Sequence, residues 1–277
     1  MESMIKPLYS IEELLDMQRL EKEIWGDDFT PIQQTVTVAK NGGIILGSYV
    51  EDRLIGFLYS FPGFKDGNVY LCSHMMGIAP DYRGQGIGES LKHKQREMAS
   101  ASGMNVITWT FDPLESANAN LNIRKLRGIC RTYMENYYGK LKGQLNKGLP
   151  TDRFLVEWHI DSEHVREQMS YSNREAVSVL SVKQDEGGYP CIEGVNSEVI
   201  SDLTNYTTLK VAVPTQFQAM KKEAFSLAKQ WREKIREVFQ LLFANGYVIV
   251  DVKRDTEETI QYYILIKQSE IKIELAK

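Results

Sequence analysis

Apolar residues in this chain recur in two rhythms, and the switches between them outline its elements. Ile11 to Trp25 has the spacing of an amphipathic helix, opened by Ser10 with Glu13 three positions on, the pattern of a capping box. Gly43 to Val50 and Leu54 to Phe61 read as a hairpin around Glu51-Asp52-Arg53. Tyr70 to Ile78 has the look of a buried strand, stopped by Pro80-Asp81. The helix that follows, from Gly84 to about Ser102, turns Ile87, Leu91, Gln95 and Met98 inward and Lys92, Lys94, Arg96 and Glu97 outward. Asn105 to Phe111 is a strand ending in Asp112-Pro113. Asn118 to Leu126 is a helix, and Gly128 to Tyr138 and Arg153 to Ile160 are strands. Polar residues dominate Asp161 to Glu186, which reads as a connection. Beyond it lie a strand from Tyr206 to Val213 and a long helix from Gln216 to Asn245, ended by Gly246. Tyr247 to Val252 and Ile260 to Lys267 are the last strands. This β-α-β-β tail has the outline of a partial repeat but lacks a second glycine loop.

The junction of the Tyr70 strand and its helix holds Arg83-Gly84-Gln85-Gly86-Ile87-Gly88. Glycines there let the backbone turn sharply and let a bulky anion approach the main chain. The unpaired N–H groups of the first helical turn then face that anion, and the helix dipole adds to the attraction. A P-loop is excluded, because no lysine followed by a hydroxyl residue is present. A dinucleotide fingerprint fits poorly, because the order is Gly-x-Gly-x-Gly. What remains is Arg/Gln-x-x-Gly-x-Gly/Ala, met by Arg83, Gly86 and Gly88. A plain strand-to-helix turn is the competing reading.

That loop resembles the pyrophosphate loop of the GNAT superfamily of acyl-CoA N-acyltransferases, and the order of elements around it is similar to the GNAT core. The resemblance is closer to one branch, the predicted GNAT acetyltransferases. It rests on Trp109-Thr110-Phe111-Asp112-Pro113-Leu114 with Asn118-Ala119, then Asn122 and Lys125-Leu126. Tyr138-Gly139, Leu145-Asn146 and Gly148-Leu149-Pro150-Thr151-Asp152-Arg153 leading into Trp158 extend it, as do Trp231-Arg232, Arg236, Phe239 and Gly246-Tyr247. Arg127 departs from the branch, which has glycine after Lys-Leu, so the turn there is expected to differ. The resemblance implies an α/β (α+β) fold class with a mixed, splayed central sheet. It implies a GNAT acyl-CoA-binding domain over residues 1–165. A smaller C-terminal β-α-β-β subdomain over residues 166–277 would complete a substrate cleft or an interface.

By the same resemblance, Met76, Gly77 and Ile78 meet the pantetheine arm and Arg83, Gly84, Gln85, Gly86, Ile87 and Gly88 hold the pyrophosphate. Asn118 would contact the pantetheine, with Asn122 one helical turn later on the same face. Direct transfer to an amine needs a proton acceptor for the amine and a proton donor for the departing thiolate. His74 leads as the acceptor: strand alternation sets it beside Met76 and Ile78, and an imidazole suits proton transfer near neutrality. A histidine satisfied by core hydrogen bonds is the competing reading, and Asp112 is the second candidate base. The family's proton-donating tyrosine would fall on Lys125, so Tyr133 is the choice for that role. Asp152 could pair an ammonium and Arg153 clamp a carboxylate, or the two could simply pin their turn. Trp109 is a candidate wall of the substrate cleft.

Composition narrows the classes. With 277 residues, 43% of them hydrophobic, the chain can bury one large core or two modest ones. A net charge of −4 argues against a nucleic-acid partner. No run of about 18 apolar residues is present, so a membrane partner is not expected. The start, Met1 to Lys6, lacks a signal-peptide pattern. Cys72, Cys130 and Cys191 are odd in number and widely spaced, as in a reduced, cytoplasmic protein with no metal site. The expectation is an N-acyltransferase using acetyl-CoA or another acyl-CoA as co-substrate. It would move an acetyl or succinyl group to a small primary amine, an amino acid among the candidates, with a homodimer as an option. A non-catalytic, CoA-responsive regulatory protein is the alternative, motivated by Lys125.

Overall fold

The computed structural model describes residues 3–26, 29–139, 148–254 and 259–273. The Leu145-Asn146 motif lies outside the described residues. Two compact units emerge, Met1–Trp109 with His159–Asp161, and Thr110–Trp158 with Ser162–Lys277. The expected division after residue 165 falls inside the second unit. The fold class is mixed α/β with mostly antiparallel strands, as the resemblance implies.

The first unit contains β1 (Met4–Pro7), α1 (Ile11–Trp25), α2 (Ile32–Lys40), β2 (Ile44–Val50), β3 (Arg53–Lys65), β4 (Asn68–Ile78), α3 (Ile87–Ala101) and the start of β5 (Val106–Phe111). Its strands are ordered β1-β2-β3-β4-β5, antiparallel except for the last pair. The capping box forms: Ser10 Oγ accepts from the Glu13 N–H at 3.2 Å, and the Glu13 carboxylate accepts from the Ser10 N–H at 3.0 Å. Lys6, and then the Tyr9 N–H, bring the Glu13 carboxyl down to about 2. The apolar stripe of α1 (Leu14, Met17, Leu20) packs on Ile45, Phe57 and Tyr59. The β3–β4 hairpin runs further than its apolar pattern indicates and turns at Asp66 and Gly67, both with positive φ.

The second unit holds the end of β5, α4 (Ser116–Ala119), β6 (Ile129–Met134), β7 (Arg153–His159), α5 (Glu163–Arg166), β8 (Val177–Ser178), β9 (Leu180–Gln184), β10 (Pro190–Val195), α6 (Ser197–Ser201), β11 (Thr208–Pro214), α7 (Phe217–Glu223), α8 (Phe225–Ala244), β12 (Tyr247–Arg254) and β13 (Ile260–Lys267). Its strand order is β7-β6-β12-β13-β11-β8, with β9 and β10 as a separate hairpin. The β-α-β-β tail is present, but its helix breaks in two at Ala224, where φ is −137° and ψ 55°. The polar stretch 161–186 is more than a connection, since it contains α5, β8 and β9. These elements are short, and β9 is largely exposed, so they carry no apolar rhythm.

After α4 the helix widens into a π turn over Asn120–Lys125, with the Leu126 N–H reaching Leu121 O. Arg127 then adopts φ +57°, the left-handed conformation a glycine would take, and its guanidinium meets Asp251 at 3.3 Å. The turn therefore keeps a glycine-like backbone despite the arginine. At Gly128 a side chain is impossible without rearrangement, because a Cβ would lie 2.6 Å from Val156 Cγ1 and 2.8 Å from the Asn122 carbonyl oxygen.

Candidate active site

In the first unit, β4 leaves the sheet through a single tight turn at Pro80–Tyr82 and re-enters helix at Gly86. Gly84 (φ +76°) and Gly86 (φ +83°) both sit in the left-handed region, so the loop's order of glycines answers a backbone need. Arg83 Nε donates to Ile78 O at 3.1 Å and Gln85 Nε2 to Asp81 O at 3.1 Å, which braces the turn. Gly86 caps α3 with no side chain, leaving the first-turn N–H groups, those of Ile87 and Gly88 among them, without a side-chain cap. A cleft lined by Val50, Ile55, Tyr82, Gln85, Ile87 and Ser90 opens beside the loop. The arrangement suits an anion held on the main chain.

Strand β4 pairs with β5 in parallel only at Leu71–Ile107 and Cys72–Thr108. Further along β4, toward Met76, Gly77 and Ile78, no ladder partner on the β5 side is found among the described residues. On its other edge β4 carries a bulge: Ser73 opposes Ser60 and Met75 opposes Tyr59, so His74 is the extra residue. The bulge overturns the simple alternation that set His74 beside Met76 and Ile78. The imidazole instead lies 5.9 Å, centroid to centroid, from both Tyr59 and Phe61, rings that belong to the α1 core. Ile78 faces the other way, toward Ile87 of α3 across Gly56. Desolvation holds the His74 pKa below its ordinary value, although the side chain keeps contact with solvent.

Helix α3 also corrects a side-chain assignment. Lys92, expected outside, is only 2% exposed. Its Nζ donates to Ser73 Oγ at 2.8 Å and Gln95 Oε1 at 3.3 Å and lies 3.6 Å from the centroid of the Trp109 ring. Burial drives its pKa well below that of a free lysine. Trp109, the candidate cleft wall, is thus packed over a buried amine.

The second unit gathers the remaining candidates. Asp112, buried after β5, accepts from the Leu114 N–H at 2.9 Å and from Arg232 Nη2 of α8 at 2.5 Å. Asp152 is fully buried; it accepts from the Tyr133 hydroxyl at 2.7 Å, the Asn136 N–H at 3.0 Å and Arg236 Nε and Nη2 at 2.9 and 3.0 Å. Burial works to raise the Asp152 pKa, but Arg236, Tyr133 and the Asn136 N–H outweigh it and hold the group low. Tyr133 is pushed upward, by burial first and then by the Asp152 charge. Arg153 lies over the Tyr138 ring at 5.2 Å. Asn118 is exposed on α4 and Asn122 buried in the π turn, so the two occupy different environments.

Several members of these clusters escaped the pattern reading. Glu115 is raised, chiefly by desolvation and then by Asp112, and Gln218 reaches its carboxylate. Lys221 is lowered by burial, with Glu115 and Asp112 acting in the opposite sense. Arg232 stands in the buried stripe of α8 with Ala228, Trp231, Ile235, Val238, Phe239 and Leu242. A charged residue at that position of an apolar stripe was the available signal.

Residues 8–121 match the model of the acetyltransferase (GNAT) family. Over that segment the chain is similar to the GNAT acetyltransferases. It is an N-acetyltransferase-like enzyme by that match, and the phosphate-type loop and the β4 bulge both lie inside the matched segment. No curated protein matches the sequence. Among solved structures the chain is similar to the ribosomal-protein-S18-alanine N-acetyltransferase of Escherichia coli, at 15% identity and a TM-score of 0.47, covering 63% of this chain and 99% of that one. A GNAT-family acetyltransferase from Streptococcus pneumoniae gives 15% identity and a TM-score of 0.47, covering 56% and 98%. A putative acetyltransferase, yncA, from Salmonella typhimurium, solved with acetyl-CoA, gives 14% and 0.47, covering 57% and 94%.

Proposed function

We propose that the protein transfers an acyl group from acyl-CoA to a small primary amine by direct attack. The observation that carries this is the Gly84–Gly86 loop, whose two left-handed glycines open the N-terminus of α3 to a pyrophosphate inside the GNAT-matched segment. Arg83, Gly84, Gln85, Gly86, Ile87 and Gly88 hold the pyrophosphate, and the edge of β4 at Met76, Gly77 and Ile78 receives the pantetheine through main-chain groups. Asn118 and Asn122 contribute on the pantetheine side. A main-chain N–H on that edge polarises the thioester carbonyl and stabilises the developing oxyanion.

His74 takes the amine's proton. Its lowered pKa keeps the imidazole neutral near pH 7, and the β4 bulge is what turns it out of the strand's alternation. Asp112 has both oxygens engaged, one by Arg232 and one by the Leu114 N–H, so we assign it the positioning of Arg232. Tyr133, raised in pKa and bonded to Asp152, is a reluctant acid. The thiolate's proton is then supplied by Tyr133 through this network or by solvent. The acyl group is acetyl or succinyl, and the acceptor an amino acid or related amine.

Thiol release from acetyl-CoA and succinyl-CoA, followed across a panel of amines, tests the reading. The expected result is amine-dependent release that drops about 10²-fold or more in His74→Ala, in line with the usual worth of a general base. The acid limb of the wild-type profile should lie below the ordinary histidine value. Release that no amine accelerates would contradict the transferase reading. Unchanged turnover of His74→Ala at every pH would remove His74 as base.

A further inference from the structure

In the first unit the β3–β4 hairpin outruns its neighbour: the β2–β3 ladder ends at Ser60, and the stretch from Phe61 to Tyr70 projects past it. Register fixes which side chains share a face there. Phe61 opposes Cys72 and Gly63 opposes Tyr70, and directly opposed residues point the same way. His74 joins them, its imidazole 5.9 Å from the rings of both Phe61 and Tyr59. Tyr59 lies closed off in the α1 core, whereas Phe61, Cys72 and Tyr70 are half-buried and His74 reaches solvent. Gly63 keeps this face flat. A Cβ there would lie 2.4 Å from Tyr70 Cζ, so the tyrosine ring lies across the glycine.

Phe61, Tyr70 and His74 thus form an open shelf of rings on the face of the sheet away from α3. Ser73, beside His74, points the other way, to Lys92 of α3. The shelf runs up to the place where β4 parts from β5, since the ladder between them stops at Cys72–Thr108. In the transferase reading the donor's pyrophosphate sits at the head of α3 and its thioester in the gap beyond Cys72. The acceptor then enters from the shelf. Desolvation lowers the His74 pKa with no charged neighbour contributing among the described residues. Beside the base, then, the described residues offer an acceptor no ion-pair partner; what they offer is aromatic surface.

We propose that the shelf of Phe61 and Tyr70 is the acceptor's specificity subsite, and that the acceptor is a primary amine with an aromatic ring close to its nitrogen. The ring packs on Phe61 and Tyr70 while the amine reaches His74. The inference rests on the transferase reading and narrows its acceptor class.

Two measurements on the full chain test it. Thiol release from acetyl-CoA and succinyl-CoA is compared for 2-phenylethylamine against ethanolamine and for phenylalanine against serine. Calorimetry then follows binding of the same four amines with CoA present. Each pair shares its ammonium and differs in its apolar group, so attraction of the cation to the rings cannot mimic the result. In at least one pair the aromatic member should win by about tenfold or more in kcat/KM or in affinity. Phe61→Ser and Tyr70→Ser should bring that ratio close to one, and Phe61→Tyr should retain it. Gly63→Ala keeps every ring but displaces Tyr70, and should also lower the ratio. If Phe61→Ser does not fold, Tyr70→Ser, nearer the hairpin tip, carries the same expectation. An aromatic preference in neither measurement, or one that survives both Tyr70→Ser and Gly63→Ala, overturns the proposal. Thiol release that no amine accelerates, with aromatic binding present and lost in Tyr70→Ser, counts against the transferase reading alone.

Discussion

Among the described residues each unit buries one lysine or arginine almost completely, and the two are accommodated in opposite ways. Among the described residues Lys92 in the first unit meets the neutral groups of Ser73, Gln95 and the Trp109 ring, and no carboxylate pairs with it. Arg232 in the second is held by Asp112. The difference follows from chemistry. A lysine can give up its proton and sit in the interior as a neutral amine, whereas an arginine stays charged and needs a counter-ion. Lys92 therefore belongs to the framework that seats α3 on its sheet, while Arg232 keeps a permanent charge in the interior beside Asp112.

The sharpest way to break this contrast is Asp112→Asn. Removing one partner of a buried ion pair leaves the other uncompensated, and the expected cost is about 3–5 kcal/mol, read from denaturant unfolding. A loss below about 1 kcal/mol would mean that Arg232 is solvated or otherwise paired. Lys92→Met should behave differently: neutral to about 2 kcal/mol more stable at pH 7, because a costly buried amine is replaced by an apolar side chain of similar length. The sign of the pH effect sharpens it. A lysine whose folded pKa is depressed binds its proton mainly in the unfolded state, so wild-type stability rises with pH from the folded pKa up to the free-lysine value near 10. The variant should lack that rise, and an identical pH slope in both proteins would place a charged, solvated lysine at position 92.

Much of the first unit was legible because its signals are local. Ser10 and Glu13 announce a cap that forms, and Gly84 and Gly86 occupy the positive-φ positions that their spacing implies. The β4 bulge was not legible: nothing in the run from Tyr70 to Ile78 marks an extra residue, and a single insertion reverses the face of His74. Lys92 escaped because its long apolar stem lets a polar head lie in a core stripe. In the second unit, Asp152 and Arg153 drew attention as adjacent charges, yet Asp152 is held by Arg236, contributed by a helix far along the chain. No local pattern encodes such a meeting, whereas the stripe of α8 held a quieter clue in a charge that broke its apolar run.

The account stands or falls on the loop that opens α3. Titration of CoA into the full chain, with wild type and Gly86→Glu side by side, is the direct measurement. The variant puts a side chain at φ +83° and a negative charge against the pyrophosphate. The prediction is saturable binding to wild type and at least a tenfold weaker, about 1.4 kcal/mol poorer, interaction for Gly86→Glu, with stability lowered by no more than the roughly 1–2 kcal/mol that a side chain at positive φ costs. No binding of CoA to wild type at millimolar concentration, or equal affinity in the two proteins, would contradict it.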